Sequence, residues 1–417
     1  MDLLRLVQSK VADSVDRMPR YMCTQTIDRS QYEPDIPNSS TRCGEGPTEG
    51  LKTHLTTADR LRLDVGIGAT SEIYSRVVEN RFNDRDLLDV VREGAISTGS
   101  FAAFLTAIFR TDAADFTYHR ETTLNGRSVA EFGFRVLYER SHYLYDSGQH
   151  RVVTAYGGTF LVDRQTADLV RLTIRTSQLP KETGACYAST TLDYGRVRLK
   201  GADFLLPAES LLQIVVNGGG EDVNRTVFSG CHEFLGESSI TFDPPSQHAV
   251  AVDAHAGAAS KAPLIPKGLH FRAALAQVID TRTAAGGDPV KATLLTPLRD
   301  GKKVLAPAGA AVAARILRIR RYYGRSPELQ LDIRLETVDA GGDSIPLEAE
   351  PDTGPSFENR QAKLLRVELG SLRGLEDRSA AFIFRGIPDS YVVGRGLESA
   401  WVTIVPPAGG ADSLPAR

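Results

Sequence analysis

The first hydrophobic residues of the chain recur at helical spacing. One face of the predicted helix comprises Leu4, Val7, Val11 and Val15. This pattern predicts an amphipathic helix over residues 2 to 17, which ends before Pro19. From Thr24 to Gly50 the chain is polar and rich in turn-forming residues, which predicts a loop. We therefore expect residues 1 to 54 to form a helix and a loop that a disulfide ties down.

Two more helices are predicted ahead of the main sheet. Strand-like alternation precedes them in Arg60 to Val65 and in Glu72 to Val78. Asn83 can cap the first helix, and Ser97 or Ser100 can begin the second. The apolar face of the second helix comprises Phe101, Phe104, Leu105, Ile108 and Phe109. Its i, i+3, i+4, i+7 spacing predicts a core helix. The same face could line a pocket for an acyl chain, and closed core packing is the alternative.

From Phe116 onward the hydrophobic period changes to two. Asn125-Gly126, between two alternating runs, is a strong signal for a β-hairpin. Short strands follow at turn-marked intervals as far as Ser229. Helices ahead of a long, mostly antiparallel sheet predict an α+β fold, with a β half-barrel and core helices over residues 55 to 243.

The composition changes after this region. Residues 244 to 263 are rich in Ala, Pro, Gly and Ser without sustained periodicity, which predicts a linker between independent domains. Beyond it, Pro266-Lys-Gly and Pro307-Ala-Gly each precede an alternating run, and each predicts a turn that begins a strand. We expect an all-β small barrel or sandwich over residues 264 to 405 and a flexible tail over residues 406 to 417.

Composition and charge narrow the functional classes. Of the 417 residues, 41% are hydrophobic and 24% are charged, which excludes a collagenous or wholly disordered chain. Residues 1 to 260 contain 27 basic and 34 acidic residues, whereas residues 261 to 417 contain 22 basic and 18 acidic residues. The net charges of the two halves are therefore opposite in sign. The net charge of −3 argues against a nucleic-acid partner. No apolar run approaches the roughly 20 residues that span a bilayer, so no transmembrane span is expected.

The four cysteines of the chain are informative about its cellular compartment. Cys23 and Cys43 flank a loop-rich segment, and Cys186 and Cys231 lie in the strand-rich region without a CxxC motif. We expect two local disulfides, Cys23 to Cys43 and Cys186 to Cys231, and four unrelated buried thiols are the alternative. Disulfides indicate an oxidising, periplasmic or extracellular compartment. The first residues lack the features of a signal peptide, so Met1 is expected to lie downstream of a signal that has been removed or is not part of this sequence.

The N-terminal half resembles known half-barrels. The run Gly157-Gly158-Thr-Phe-Leu-Val-Asp-Arg resembles a strand, an Asp-initiated turn and a return strand of the LolA/LolB lipoprotein carriers and the RseB/MucB periplasmic sensors. Phe204-Leu-Leu-Pro-Ala-Glu-Ser resembles the strand that re-enters their sheet. The half also resembles uncharacterised exported bacterial proteins, through Met22-Cys23-Thr-Gln and Cys231-His-Glu-Phe. The resemblance implies a lipid or a lipoprotein acyl chain as ligand. Residues 264 to 350 resemble the small β-barrel of the TrbI-like family.

The sequence contains no motif that specifies catalysis. GxSxG, HExxH, GxxxxGK[ST] and GxGxxG are all absent, so we expect neither an enzyme nor a cofactor. His232-Glu233 begins like a zinc-binding helix but lacks the second histidine, so no metal is expected. His119, His142 and His150 lie on or beside neighbouring predicted strands and could form a metal or pH-sensitive cluster. Scattered surface histidines are the alternative.

The densest basic segment lies in the C-terminal half. It comprises Arg315, Arg318, Arg320, Arg321 and Arg325, with Tyr322 and Tyr323 interleaved. The four arginines from Arg315 to Arg321 could bind phosphates, anionic lipid headgroups or an acidic protein partner. On a hairpin, however, alternation places Arg318 and Arg320 on the face opposite Arg321. A solvated hairpin is one alternative, and a partner within the net-negative N-terminal half is another.

Together these expectations describe a non-catalytic exported protein of the cell envelope. Its half-barrel would bind a lipid, a lipoprotein acyl chain or an apolar segment, and its C-terminal domain would be an interaction module. The alternative function is a structural adaptor of the bacterial envelope that acts only through contacts with protein partners.

Overall fold

The computed structural model describes residues 2–35, 43, 52–67, 72–76, 95–97, 101–199, 201–233, 265–352, 367–370 and 378–404. The predicted helix that Asn83 would cap, the linker at 244–263 and the tail at 406–417 lie outside these residues.

The N-terminal half begins with a helix and continues mostly as strands. Its elements are α1 (Asp2–Arg17), β1 (Tyr21–Pro34), β2 (Thr53–Ile67), β3 (Glu72–Arg76), α2 (Ala103–Leu105) with a π-helical turn (Thr106–Arg110), β4 (Ala114–Leu124), β5 (Arg127–Val136), β6 (Leu144–Asp146), β7 (Arg151–Val153), β8 (Tyr156–Asp163), β9 (Leu169–Thr176), β10 (Ala185–Leu199), β11 (Ala202–Val216) and β12 (Glu221–Glu233). Single 3-10 turns lie at Tyr138–Arg140 and Lys181–Thr183.

The C-terminal half consists of strands in its described part. They are β13 (His270–Leu275), β14 (Ile279–Asp280), β15 (Pro289–Leu294), β16 (Leu298–Asp300), β17 (Lys303–Ala306), β18 (Ala311–Tyr322), β19 (Glu328–Asp339), β20 (Ser344–Pro346), β21 (Ala349–Pro351), β22 (Val367–Gly370), β23 (Ala380–Arg385), β24 (Val392–Val393) and β25 (Glu398–Thr403).

The N-terminal strands form one antiparallel sheet in the order β4, β5, β8, β9, β10, β11, β12, β1, β2, β3. Helix α1 confirms the first predicted helix. The β4–β5 turn confirms the predicted hairpin, since Asn125 and Gly126 have φ angles of 51° and 78°, as a type I′ turn requires. The second predicted helix is found as α2 and the π-helical turn.

The loop predicted from Thr24 to Gly50 is wrong over its first part. Strand β1 runs to Pro34 and pairs along its length with both β12 and β2. Its positions alternate between buried and partly exposed, but the buried set includes Gln25 and Arg29. The sequence therefore lacks the apolar alternation from which a strand is predicted. The expected boundary at residue 54 falls inside β2.

In the C-terminal half, the strands enclose a hydrophobic core of their own. The two predicted Pro-x-Gly turns are confirmed, because Gly268 and Gly309 have φ angles of 83° and 89° ahead of β13 and β18. Sheet neighbours run in the order β22, β23, β19, β18, β15, β13, β25, β21. Trp401 is 1% exposed in this core, and its indole nitrogen donates a hydrogen bond to Ser399.

Main-chain hydrogen bonds join the two halves. Strand β18 pairs with β2, with Arg320 opposite Asp59. The amide of Arg62 donates to the carbonyl of Gly286 over 2.7 Å, and the amide of Gly286 donates to Arg60 over 2.8 Å. Gly287 has a φ angle of 106°, and a Cβ there would lie 2.1 Å from the carbonyl oxygen of Arg62. A glycine is therefore required where the two halves meet.

Candidate ligand-binding site

One row of side chains crosses eight strands of the N-terminal sheet on the face that α1 covers, here called the inner face. In strand order the row is Phe132, Phe160, Leu172, Leu192, Ser210, Thr226, Ile27 and Leu61. Each residue is directly opposite the next, so the side chains lie side by side. The row changes from aromatic and aliphatic residues on β5 to β10 to hydroxyl residues on β11 and β12.

The apolar end of the inner face is an aromatic cluster. The ring of Phe160 stacks on Phe132 with centroids 5.2 Å apart and meets Phe109 edge to face at 5.1 Å. Phe116 contacts both Phe109 and Phe160. Tyr143 lies beside this cluster, and burial raises its pKa to about 12. Such a cluster is the kind of surface that binds apolar ligands when it is uncovered.

Three separate short elements cover the inner face. Helix α1 packs Val7 and Val11 on the aromatic cluster, and the π-helical turn packs Ile108 there. The β6–β7 hairpin packs Tyr145 and Val152 against a second group of apolar residues. That group comprises Leu179, Ala185, Ala188, Leu212 and Ile214. Two of these elements are helical, and the β6–β7 hairpin is a separate two-stranded sheet.

The proposed apolar ligand face is divided between two clusters. Leu105 and Ile108 are buried in the aromatic cluster, whereas Phe104 is half-buried and stacks on Tyr143. Phe101 instead contacts Tyr21 and Phe228 edge to face. The amide of Phe101 donates a hydrogen bond to Glu72 over 3.0 Å. The four residues therefore pack in the core and do not line a single groove.

Beside the aromatic cluster, the inner face carries a buried polar region that the sequence pattern does not predict. We call Gln25, Ser210, Asn224 and Thr226 the polar segment; each is at least 92% buried. They line a cavity of about 10 Å³ together with Ile27, Ile96, Ser97, Leu212 and Phe228. A cavity of this volume holds about one water molecule. The segment lies on β1, β11 and β12, and the polarity of β1 is what obscured it in the sequence.

Three polar atoms on the interior of this half have no hydrogen-bond partner among the described residues. They are the amide nitrogen of Gln25 and the hydroxyl oxygens of Tyr21 and Tyr194. Burial raises the pKa of Tyr21, and the charges of Glu72 and Tyr194 add to the effect, so Tyr21 lies near both of these side chains. Unpartnered buried donors are uncommon in native proteins, and a bound molecule is one explanation for them.

The four arginines of the predicted anionic-partner patch are engaged within the chain. Arg315 makes a bidentate pair with Glu336, and Arg318 lies 3.5 Å from the fully buried Asp332. Arg320 pairs with Asp59 of the other half, as expected for a partner within the chain. Arg321 donates to the carbonyls of Pro388 and Asp389. Their side chains are between 5% and 14% exposed, which leaves little guanidinium surface for an external anion.

All four cysteines form disulfides, but the predicted pairing is wrong. Cys23 is bonded to Cys231, and Cys43 is bonded to Cys186. The first bond joins neighbouring strands, because β1 pairs with β12 and brings two cysteines 208 residues apart to a Cα separation of 4.1 Å. The prediction paired cysteines that are close in sequence, and this required the segment after Cys23 to be a loop.

The three histidines do not assemble a metal site. His119, His142 and His150 are all exposed, and the nearest carboxylate oxygen to the His119 ring is that of Glu131 at 3.8 Å. No group of three metal-binding side chains occurs within the described ranges. In the same ranges, no helix has the length and apolar character needed to cross a membrane.

A search of solved structures found chains to which this protein is similar. No family model matches it, and no curated protein matches it. A DUF1329 family protein from Desulfovibrio piger has a TM-score of 0.27 and 9% identity, covering 57% of this chain and 96% of that one. A LolA superfamily protein from Nitrosomonas europaea has a TM-score of 0.24 and 9% identity, covering 54% and 93%. An outer membrane lipoprotein-sorting protein domain from Vibrio parahaemolyticus has a TM-score of 0.28 and 10% identity, covering 56% and 93%. The chain is similar to LolA superfamily and lipoprotein-sorting structures over a little more than half of its length.

Proposed function

We propose that the N-terminal half binds a lipid, or the acyl chain of a lipoprotein, on its inner face and does so without catalysis. The observation that supports this most is the aromatic cluster around Phe160. Two helical elements from distant parts of the sequence, α1 and the π-helical turn, cover it, and neither is a strand of the sheet beneath. A ligand that enters would replace the apolar contacts between the cover and the cluster with apolar contacts of its own.

A long acyl chain gains free energy when it leaves water for the inner face. Each methylene group that leaves water contributes roughly 0.8 kcal/mol. Outside its apolar face, α1 contacts the turn between β8 and β9 through Lys10, which donates to the carbonyl of Thr166 and pairs with Asp168, and the lysine side chain is 42% exposed. Arg110 of the π-helical turn pairs with Asp16 of α1, so this ion pair joins the two helical elements to each other, and Asp16 is 57% exposed. Ion pairs at this exposure stabilise by less than about 1 kcal/mol each.

The two disulfides support an oxidising compartment, so we place the protein in the periplasm or outside the cell. In this account the C-terminal half is an interaction module. It is joined to the half-barrel through β2 and β18, so a partner of the C-terminal half would be held at a fixed position relative to the inner face.

A second candidate function is a structural adaptor that acts only through protein contacts. The observation that favours it is the close packing of the described interior. The cavity beside the polar segment measures about 10 Å³, and one in the C-terminal core measures about 20 Å³. Pockets for drug-sized ligands measure roughly 300 to 1,000 Å³. Lipid binding therefore requires the cover to move.

A binding titration with a fluorescent fatty-acyl probe separates the two functions. We expect the wild-type protein to bind the probe saturably, and Phe132→Ser to weaken binding at least tenfold, because Phe132 lies on the inner face. Leu161→Ser is the matched control, since Leu161 on β8 faces the opposite side of the sheet next to Phe160.

The outcomes differ for each function. Saturable binding that Phe132→Ser weakens and Leu161→Ser leaves intact supports the lipid carrier. Absence of saturable binding by a folded wild-type protein contradicts it, and self-association that depends on concentration would then support the adaptor.

A further inference from the structure

We propose that the polar segment binds the carbonyl of an ester or amide linkage in an acyl lipid, while the aromatic cluster holds the chain. The inference rests on the proposed function and specifies its ligand. It assigns a role to Gln25, Ser210, Asn224 and Thr226 on the inner face.

The main observation is that the side-chain amide nitrogen of Gln25 is buried without a hydrogen-bond partner in the described part of the chain. Its side chain is 5% exposed, it lines the small cavity, and its nitrogen has no hydrogen-bond partner among the described residues. A buried donor without a partner is costly, and an acceptor oxygen that enters the cavity removes that cost. The hydroxyl groups of Ser210 and Thr226 line the same cavity and can donate to the same oxygen.

The spacing of the two regions fits an acyl lipid. Phe160 on β8 and Thr226 on β12 belong to the same cross-strand row and are separated by four strand intervals. At roughly 4.8 Å per interval, this is roughly 19 Å along the sheet. Acyl chains in one leaflet of a bilayer span roughly 15 Å. A chain lying across the row from Phe160 would therefore reach Ser210 of the polar segment, which is three intervals or roughly 14 Å away, and its carbonyl would lie between Ser210 and Thr226.

Charge in the polar segment favours an uncharged linkage over a free carboxylate or a phosphate. The nearest cation on the same face of β1 is Arg29, and its guanidinium group donates two hydrogen bonds to Asp59, at 2.6 and 2.7 Å. Both side chains are less than 10% exposed. Because the Arg29 guanidinium group is held in this bidentate pair, the hydrogen-bonding groups that line the cavity are the uncharged side chains of the polar segment.

Access to the segment requires residues 95–97, which lie against it, to move. Asn224 donates a hydrogen bond to the carbonyl oxygen of Ala95 over 2.6 Å, and Ile96 and Ser97 line the cavity from that side. A ligand carbonyl that takes the place of Ala95 would give Asn224 an equivalent acceptor. The hydrogen bonds of the covered state are thus replaced in the bound state.

A pair of lipids that differ only in the carbonyl tests the inference. Native mass spectrometry would measure binding of a monoacylglycerol and of the alkylglycerol ether of the same chain length. We expect the wild-type protein to bind the ester about tenfold more tightly, as one buried hydrogen bond provides. We expect Gln25→Leu to reduce this preference for the ester. Gln213→Leu is the matched control, because Gln213 lies on the outer face and donates to Glu221.

Each other outcome decides the question. If neither lipid binds, the proposed function fails and this inference fails with it. If the wild-type protein binds ester and ether equally, the function stands but the inference is overturned, and Gln25 has an ordered water as its partner. If Gln25→Leu does not fold, Thr226→Val decides. A reduced ester preference in that variant supports the inference, and an unchanged preference overturns it.

Discussion

Asp59 of β2 accepts hydrogen bonds both from Arg29 in its own half of the chain and from Arg320, which is 261 residues further along. The Arg320 guanidinium group contacts one carboxylate oxygen over 2.8 and 3.0 Å. The three side chains are between 7% and 14% exposed. One buried carboxylate therefore compensates two buried cations at the junction of the two halves.

Substitution Asp59→Asn is expected to lower the free energy of unfolding by about 3–5 kcal/mol, because it leaves two buried guanidinium groups without their anion. Urea denaturation measures this directly. Asp28→Asn is the control, since Asp28 pairs with Arg60 but is 47% exposed, and we expect it to cost less than about 1 kcal/mol. Equal effects of the two substitutions would contradict the role assigned to Asp59.

The pair between Glu336 and Arg315 is expected to make stability depend on pH in the acid range. Burial pushes the pKa of Glu336 upward, but the hydrogen bond and charge of Arg315, with Arg334, outweigh it and hold the pKa below its ordinary value of 4.5. A lowered pKa in the folded state contributes stability above pH 4.5, and this stability is lost as the pH falls through the lowered value.

Wild-type protein should therefore be more stable than Glu336→Gln at pH 7, and the difference should shrink toward pH 3. Urea denaturation at both pH values measures it. A difference that stays constant across this range would show that the carboxylate is not stabilised by Arg315 in the folded state.

The disulfide pairing predicts which peptides remain linked after digestion of the unreduced protein. Mass spectrometry should find Cys23 linked to Cys231 and Cys43 linked to Cys186. Replacing either pair by serine should cost about 2–5 kcal/mol, since each bond closes a loop of more than 100 residues. A linked peptide containing both Cys23 and Cys43 would refute the strand order that places β1 beside β12.

The helical cover should be more sensitive to charge at Ile108 than at Phe104. Ile108 is 0% exposed, whereas Phe104 is half-buried against Tyr143. Ile108→Asp buries an unpaired carboxylate and is expected to lower the melting temperature substantially more than Phe104→Asp. The reverse order in a thermal melt would mean that Ile108 does not face the aromatic cluster.

The sequence predicted those parts of the fold that depend on local signals. Helix α1 has a clear apolar stripe, and Asn125-Gly126 specifies its turn by backbone conformation alone. The two Pro-x-Gly turns belong to the same class. In each case the residues that determine the element lie within a few positions of one another, so that periodicity and turn chemistry are sufficient.

Strand β1 and the polar segment could not be predicted because they depend on distant residues. Gln25 and Arg29 are buried only because β12 and β2 lie on either side of β1 and because Asp59 compensates the arginine. The disulfide pairing depends on the same arrangement. The arginines near Arg320 are close in sequence, but successive residues of β18 face opposite sides of the sheet. Arg318, Arg320 and Arg321 therefore pair with different carboxylates.

Native mass spectrometry of the protein secreted into an oxidising compartment, followed by organic extraction, tests the central claim most directly. The account predicts one lipid per chain, released by extraction and containing an acyl chain. A protein that is folded, carries both disulfides and has the bare mass of the polypeptide, even after incubation with membrane lipids, would contradict the lipid-binding function and leave the adaptor as the better account.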